Sequence, residues 1–312
     1  KQRRLELGLT QEELCEGICE PITISRMENG RQTPSRNRIN ALLQRLGLPD
    51  DRYFALLSKR EEEIAALQKE IIACSVQRDT AHGWELLGQL EQITEPDDHV
   101  TRQFILRSQV ILGKAEGRYS AEEQLQMLMK ALRMTAPHFD LEEISKGLYS
   151  FEEVKIINQI AVTYAGNGQR RRAIDILRQL MKYVQKHYQN ILQSGGLLPL
   201  ISYNYARELA ANKQYEDAIE IAELGRQSCV TYGHYQFLPG VLAIMASCYH
   251  FLEKDEESEA LYHQAYYLYQ AIDNPGDGAQ IKEEAKEYLN AAMSELGVSN
   301  PSDITVTITT TD

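Results

Sequence analysis

Three stretches of this chain repeat one layout, and that recurrence constrains the fold more than any other feature. Residues 160–180, 205–225 and 245–266 each place a small residue early in a helical segment: Ala161, Ala206 and Ala246. An aromatic residue or leucine follows three positions later, at Tyr164, Leu209 and Tyr249. A polar turn comes next, and then an alanine opens a second helical segment: Ala173, Ala218 and Ala260, 45 and 42 residues apart. Small residues let paired helices approach closely, and the large ones fill the gap between layers. Such a hairpin cannot bury its apolar face alone, so successive copies must stack. Residues 64–93 and 112–132 read as degenerate earlier copies, which makes about five helix pairs. Residues 279–296 predict a closing helix over the last open face. Residues 299–312 lack helical character and read as a tail.

The expected fold is therefore all-α, with a right-handed solenoid of tetratricopeptide-like helix pairs. The period exceeds the usual 34 or so, which implies longer helices. A chain of 312 residues is too long for one compact core. Its 43% hydrophobic and 25% charged residues are ordinary for a soluble protein. No apolar run approaches the roughly 20 residues that span a bilayer, and no secretory signal is visible. The five cysteines, Cys15, Cys19, Cys74, Cys229 and Cys248, are scattered and form no CxxC pair. A disulfide framework or zinc site needs better spacing, so a reducing, cytoplasmic setting is expected. There is no Gly-rich phosphate loop, no HExxH and no nucleophile elbow. His187, His234, His250 and His263 are dispersed and read as surface or packing residues. No catalytic constellation, cofactor or metal is expected.

Charge separates the front of the chain from the rest. The net charge is −12. Residues 1–60 hold 11 Lys and Arg against 8 Asp and Glu, a surplus of +3. The remainder holds 22 against 37, or −15. A basic head on an acidic body binds a polyanion through the head alone. That head is dense in short helical signals. Thr10 with Glu13 forms a capping box that opens a helix over 11–17. Pro21 starts a second helix over 21–29, with Ile24 and Met27 turned inward and Gly30 as its stop. A third, over 36–46, carries Ile39, Leu42, Leu43 and Leu46 on one side. From Tyr53 to Cys74 the apolar positions 53, 57, 64, 67 and 71 form a helical stripe. It reads as the first layer of the body, or else as a seam with a second chain. The expected domains are 1–50 for the head, 51–62 for a linker helix segment, 63–298 for the repeats and 299–312 for the tail.

The string from Leu9 to Ser35, "LTQEELCEGICEPITISRMENGRQTPS", resembles the lambda-repressor-like helix-turn-helix. In such a domain the second helix enters the major groove and its early residues meet base edges. By position that face offers Pro21, Ile22, Ser25 and Arg26. Arg26 is the one long donor there and the first candidate for guanine readout, unless it pairs with an acid such as Glu12. Gln11 sits where these domains touch a phosphate. Thr23 approaches DNA or serves the fold. Arg31, Arg36 and Arg38 suit phosphates without carrying sequence information. Half a site gives little specificity, so a homodimer on a two-fold operator is expected. Cys15 and Cys19 stand four apart at a helix end, and buried packing is favoured there over a redox switch.

"EGICEPITISRMENG", a linker helix and "EVKIINQIAVTYAGNGQ" together resemble the peptide-responsive regulators grouped as RRNPP, especially the PlcR- and Rgg-like members. The resemblance implies a transcription regulator for quorum sensing, with a short imported signalling peptide bound in the repeat groove. An extended peptide exposes backbone donors and acceptors, and Asn side chains offer both. Asn158 and Asn204 lie on equivalent turns of first helices and resemble the family's peptide-holding asparagines; their other reading is as polar links between helices. Lys155, Val162, Tyr203, Arg207, Met245 and Tyr249 are candidate neighbours. The basic turn "AGNGQRRRA" departs from the pattern. An alternative function is a scaffold or inhibitor whose groove holds a protein partner, with DNA binding secondary.

Overall fold

A computed structural model describes residues 1–32, 35–48, 59–188, 196–272 and 274–289 of the chain. Among these residues every regular element is a helix. The front end holds α1 (Gln2–Glu6), α2 (Gln11–Cys15), α3 (Pro21–Glu28) and α4 (Arg36–Arg45). At the start of α2 the Thr10 hydroxyl accepts from the Glu13 backbone N–H at 3.1 Å, and the Glu13 carboxylate accepts from the Thr10 N–H at 2.7 Å. This is the expected capping box. The helix ends at Cys15, two residues before the expected stop, because Glu16 leaves helical geometry and Gly17 turns left-handed at φ +69°. Pro21 opens α3 at a position where its missing N–H is not needed. Past its end, the Arg31 N–H closes back on the Arg26 carbonyl at 2.8 Å with Gly30 at φ +67°. Leu14, Ile18, Ile24, Leu42 and Leu46 make the core of this domain.

The body pairs its helices in order. They are α5 (Lys59–Gln77) with α6 (Thr80–Ile93), α7 (His99–Ala115) with α8 (Ala121–Thr135), and α9 (Phe151–Gly166) with α10 (Arg170–His187). Then follow α11 (Leu197–Ala211) with α12 (Tyr215–Tyr232), and α13 (Leu238–Phe251) with α14 (Asp255–Ala271). α15 (Pro275–Leu289) packs on α14. It begins four residues before the expected closing helix because Pro275 provides the start. Residues 290–296 and the tail 299–312 lie outside the described residues. Five turns share one geometry. Just past the first helix of each pair, one residue is left-handed: Arg78, Gly117, Gly168, Lys213 and Glu253. The next N–H then bonds the carbonyl five residues back, as in Gln169 to Tyr164 (2.9 Å), Gln214 to Leu209 (3.0 Å) and Lys254 to Tyr249 (2.9 Å).

Four residues into the second helix, the small side chains of Ala173 and Ala218 are fully buried, as expected. In the last pair that slot belongs to Ser258, and Ala260 is exposed. The expected register there is therefore corrected by two residues. Ile64, Leu67 and Ile71 of α5 are buried with Leu86, Leu90 and Phe104, so this part of the stripe is a layer of the body. Tyr53 and Leu57 lie outside the described residues.

The chain divides within α11 into two compact units, 1–204 and 205 onward. The first unit contains the front end and the first three helix pairs. The second has its own core of Leu242, Ala246, Tyr262, Ala265, Ile281 and Ala285.

Candidate functional site

The first surface belongs to α3. Ile22, Ser25, Arg26, Asn29, Arg31 and Gln32 line a shallow hollow of about 540 Å³. Ile22 is 55% exposed, Arg26 and Arg31 are exposed, and neither arginine has an acid partner among the described residues. Arg26 thus does not pair with Glu12. Helical spacing explains the grouping, because residues 22, 25, 26 and 29 fall on one face. Asn29 and Gln32 were not singled out from sequence, although the same periodicity reaches Asn29. Its side-chain amide donates to the Ser25 carbonyl at 2.7 Å. Pro21 and Thr23 flank the hollow on α3 and are half-buried.

Of the other three expected contacts, the side chains of Gln11 and Arg38 are already engaged, and Arg36 bonds through its backbone N–H. Gln11 donates to Glu28 at 2.9 Å, and Glu28 also takes a two-point hydrogen bond from Arg4 at 2.7 and 3.0 Å. This Arg4 guanidinium, with Gln11, holds the Glu28 carboxyl down at about 2. Arg38 pairs with Asp97 at 3.0 Å, and the Arg36 backbone N–H bonds Glu61 at 2.8 Å. Burial pushes the Cys19 thiol up to about 11 and raises that of Cys15. Neither is a thiolate near neutrality, which favours the packing reading over a redox switch.

The second surface lies on α9 and the start of α11. Lys155, Asn158 and Val162 share one face of α9 by their spacing. Asn158 and Asn204 are buried at 4% and 6%, and the Asn204 amide donates to Asn158 Oδ1 at 3.2 Å and to the Leu200 carbonyl at 3.1 Å. The structure therefore brings the two asparagines together. Their bond leaves Asn158 Nδ2 and Asn204 Oδ1 without a protein partner among the described residues. Tyr203 is half-buried beside Asn204 in the chain, and Lys155 pairs with Glu152 at 3.7 Å. In the second unit Arg207 bonds the adjacent Glu208 at 3.1 Å, Met245 is buried, and Tyr249 lies under the Lys254 ammonium.

A third feature had no sequence signal. Arg45, at the end of α4, is 2% exposed. It donates to the carbonyls of Leu14 (3.0 Å), Glu16 (2.8 Å) and Thr135 (2.6 Å), and to the fully buried Glu153 carboxylate (2.8 Å). Gln44 accepts from the Phe151 N–H at 2.8 Å, and His187 Nε2 donates to the Arg45 carbonyl at 2.7 Å. A Cβ at Gly17 would lie 2.4 Å from the Thr135 backbone, so only glycine permits this approach. The front end is thereby locked to α8, α9 and α10.

No helix among the described residues is long and apolar enough to cross a membrane, and no group of metal-ligating side chains occurs among them. Residues 1–52 match the helix-turn-helix family, and residues 68–289 match the RNPP family C-terminal domain. No curated protein matches the chain. Among solved structures, the fold is similar to Bacillus thuringiensis PlcR in complex with the peptide PapR7 and DNA. That likeness has 20% identity and a TM-score of 0.62, and covers 90% of this chain and 96% of that one. The apo form of the same PlcR is similar at 17% identity and TM-score 0.60, with the same coverage.

Proposed function

This chain belongs to the RNPP family, and on that premise we propose that it is a transcription regulator of quorum sensing. Its helix-turn-helix binds duplex DNA, and its repeats bind a short signalling peptide that controls how the heads engage DNA. The observation that carries this reading is the α3 face, where Arg26 and Arg31 stand exposed and unpaired beside Ile22 and Ser25. A helix presenting free long donors and an apolar side chain meets the requirements of major-groove readout. Arg26 is the base reader. Arg31 meets phosphate, and Arg36, Arg38 and Gln11 position the domain. Pro21 and Thr23 complete the approach to the groove.

Peptide binding rests on Asn158 and Asn204, whose unused donor and acceptor match an extended backbone. Lys155, Val162 and Tyr203 are assigned as their neighbours, and Arg207, Met245 and Tyr249 are assigned to the same ligand. The PlcR structure supports the pairing of functions, since it contains both a peptide and DNA. The working form is a cytoplasmic homodimer on a two-fold operator. The division of labour follows 1–50, 51–62, 63–298 and 299–312.

The test uses the full chain. Duplexes selected from a random pool are titrated by fluorescence anisotropy between about 50 and 200 mM salt, where phosphate-driven affinity falls steeply. Arg26→Ala weakens discrimination between selected and random duplex by about 1–3 kcal/mol. Unchanged discrimination removes Arg26 from base readout, and no binding even in dilute salt overturns the reading. Short secreted peptides added to the same protein raise its unfolding midpoint, and Asn158→Ala and Asn204→Ala lose that rise. If no peptide acts while DNA still binds, the peptide half fails.

A further inference from the structure

A cleft of about 750 Å³ opens where the front end meets the body, entirely within the first unit. Its size is that of a small-molecule site. Arg3 and Leu7 line it from the front end, and Phe139 and Leu148 line it from the segment between α8 and α9. Lys182 and Lys186 line it from α10. These two lysines are one helical turn apart and exposed. Neither has a carboxylate partner among the described residues. Like charges at this spacing repel and weaken a helix, so fold stability gives no reason for the pair.

The acids that share the cleft are already occupied. Glu13 caps α2, Glu16 faces His138 at 3.2 Å, Glu143 pairs with Lys146 at 2.5 Å, and Asp140 accepts the Glu142 N–H at 2.9 Å. Burial chiefly lowers the His187 pKa, and the nearby charges of Arg3 and Lys186 lower it further, so positive charge stands close to that wall. Arg45 also lines the cleft, and its buried Nε has no hydrogen-bond partner. That nitrogen is sealed from solvent, so it is not a contact for a molecule in the cleft. Leu7 is exposed here as well, and the mostly buried Phe139 lines the same cleft.

We propose that this cleft binds a small organic phosphate of about mononucleotide size. The phosphate sits against Lys182 and Lys186, whose ammonium point charges suit a polyanionic group, with Arg3, tied to Glu6 at 3.3 Å and to the Leu46 carbonyl at 3.2 Å, beside them. The organic part covers Leu7, Leu148 and Phe139. Such a ligand touches both the front end and the body, and favours their docked arrangement over any other. The site is separate from the α3 face and from the two asparagines.

The full chain is heated with AMP, ADP, inorganic phosphate, or sodium sulfate at matched ionic strength. A saturable rise in the unfolding midpoint is expected with at least one of the nucleotides and not with sulfate. The Lys182→Ala/Lys186→Ala protein unfolds as the parent does without ligand, because both side chains are exposed, and its nucleotide affinity is at least tenfold weaker. The absence of a saturable rise with either nucleotide overturns the proposal. So does an unchanged affinity in the double variant, or equal affinity for inorganic phosphate, which would leave no role for the apolar wall.

Discussion

Arg45 and Glu153 are 108 positions apart, yet they form an ion pair shielded from water at 2.8 Å. Every remaining bond of that guanidinium goes to a backbone carbonyl or is absent, so deleting the side chain strands a charged carboxylate in the interior. Arg45→Ala should therefore cost about 3–5 kcal/mol, read as a lower urea midpoint. Replacing both members with apolar residues, Arg45→Met with Glu153→Leu, should recover only the part due to the stranded carboxylate, since the Leu14, Glu16 and Thr135 carbonyls still lose their donor. A single-variant cost below about 1 kcal/mol would show that water reaches the pair. Glu28 offers a second test at this scale. Its folded pKa, about 2, lies below the ordinary 4.5. The unfolded chain thus binds the proton more readily. Its contribution is complete above about pH 4.5 and is lost as pH falls toward 2. Glu28→Gln should lower stability by about 2 kcal/mol at pH 7 and flatten the acid limb of the midpoint against pH. An acid limb as steep as the parent's would assign that slope to other carboxylates. Local and distant contacts differ in legibility. Thr10 and Glu13 announce themselves because a capping box is local, whereas no periodicity links Arg45 to a carboxylate from another domain.

Helix hairpins carry most of what could be read in advance, because their pattern is short-range. The five pairs, the small buried residues and the capping of α2 all follow from spacing within some 20 residues. The miss at Ala260 is instructive. Counting from the start of α14 gives Ser258 the buried slot, but three acids open that helix and nothing in their identity marks the first turn. Polar composition marks the turns but not their handedness. Gly168 accepts a left-handed φ freely, while Lys213 and Glu253 hold φ of 62° and 60° at a steric cost. Glu253→Gly and Lys213→Gly should each stabilise the protein by up to about 1 kcal/mol, less what the more flexible unfolded chain regains. The melting midpoint would rise by about 2–4 °C at most. A fall would mean that side-chain contacts at these turns outweigh the backbone strain.

At the scale of the whole molecule, charge separates a basic front end from a strongly acidic body, and the expected DNA contacts, all on the front end, differ in whether the body engages them. Arg26 and Arg31 face outward. Arg38 is bound to Asp97 of the segment between α6 and α7 by both its carboxylate and its carbonyl. Sequence places Arg38 correctly on α4 but gives no sign of this tie, since charge counting says nothing about which acid a given arginine meets. A DNA phosphate must compete with Asp97 for Arg38. The competition is weak, because the carboxylate is 70% exposed and such pairs are worth only about 0.2–1 kcal/mol. Asp97→Asn should tighten duplex binding by at most about fivefold, with the largest gain in dilute salt and none near 1 M, where screening removes the effect. It also removes one negative charge beside the proposed DNA contact Arg38. A variant at another exposed acid of the first unit, Glu122→Gln on α8, separates the two effects, since it changes net charge equally and Glu122 does not pair with Arg38. If both variants tighten binding alike, overall repulsion by the body governs affinity; if only Asp97→Asn does, the Arg38 tie is a direct competitor for DNA.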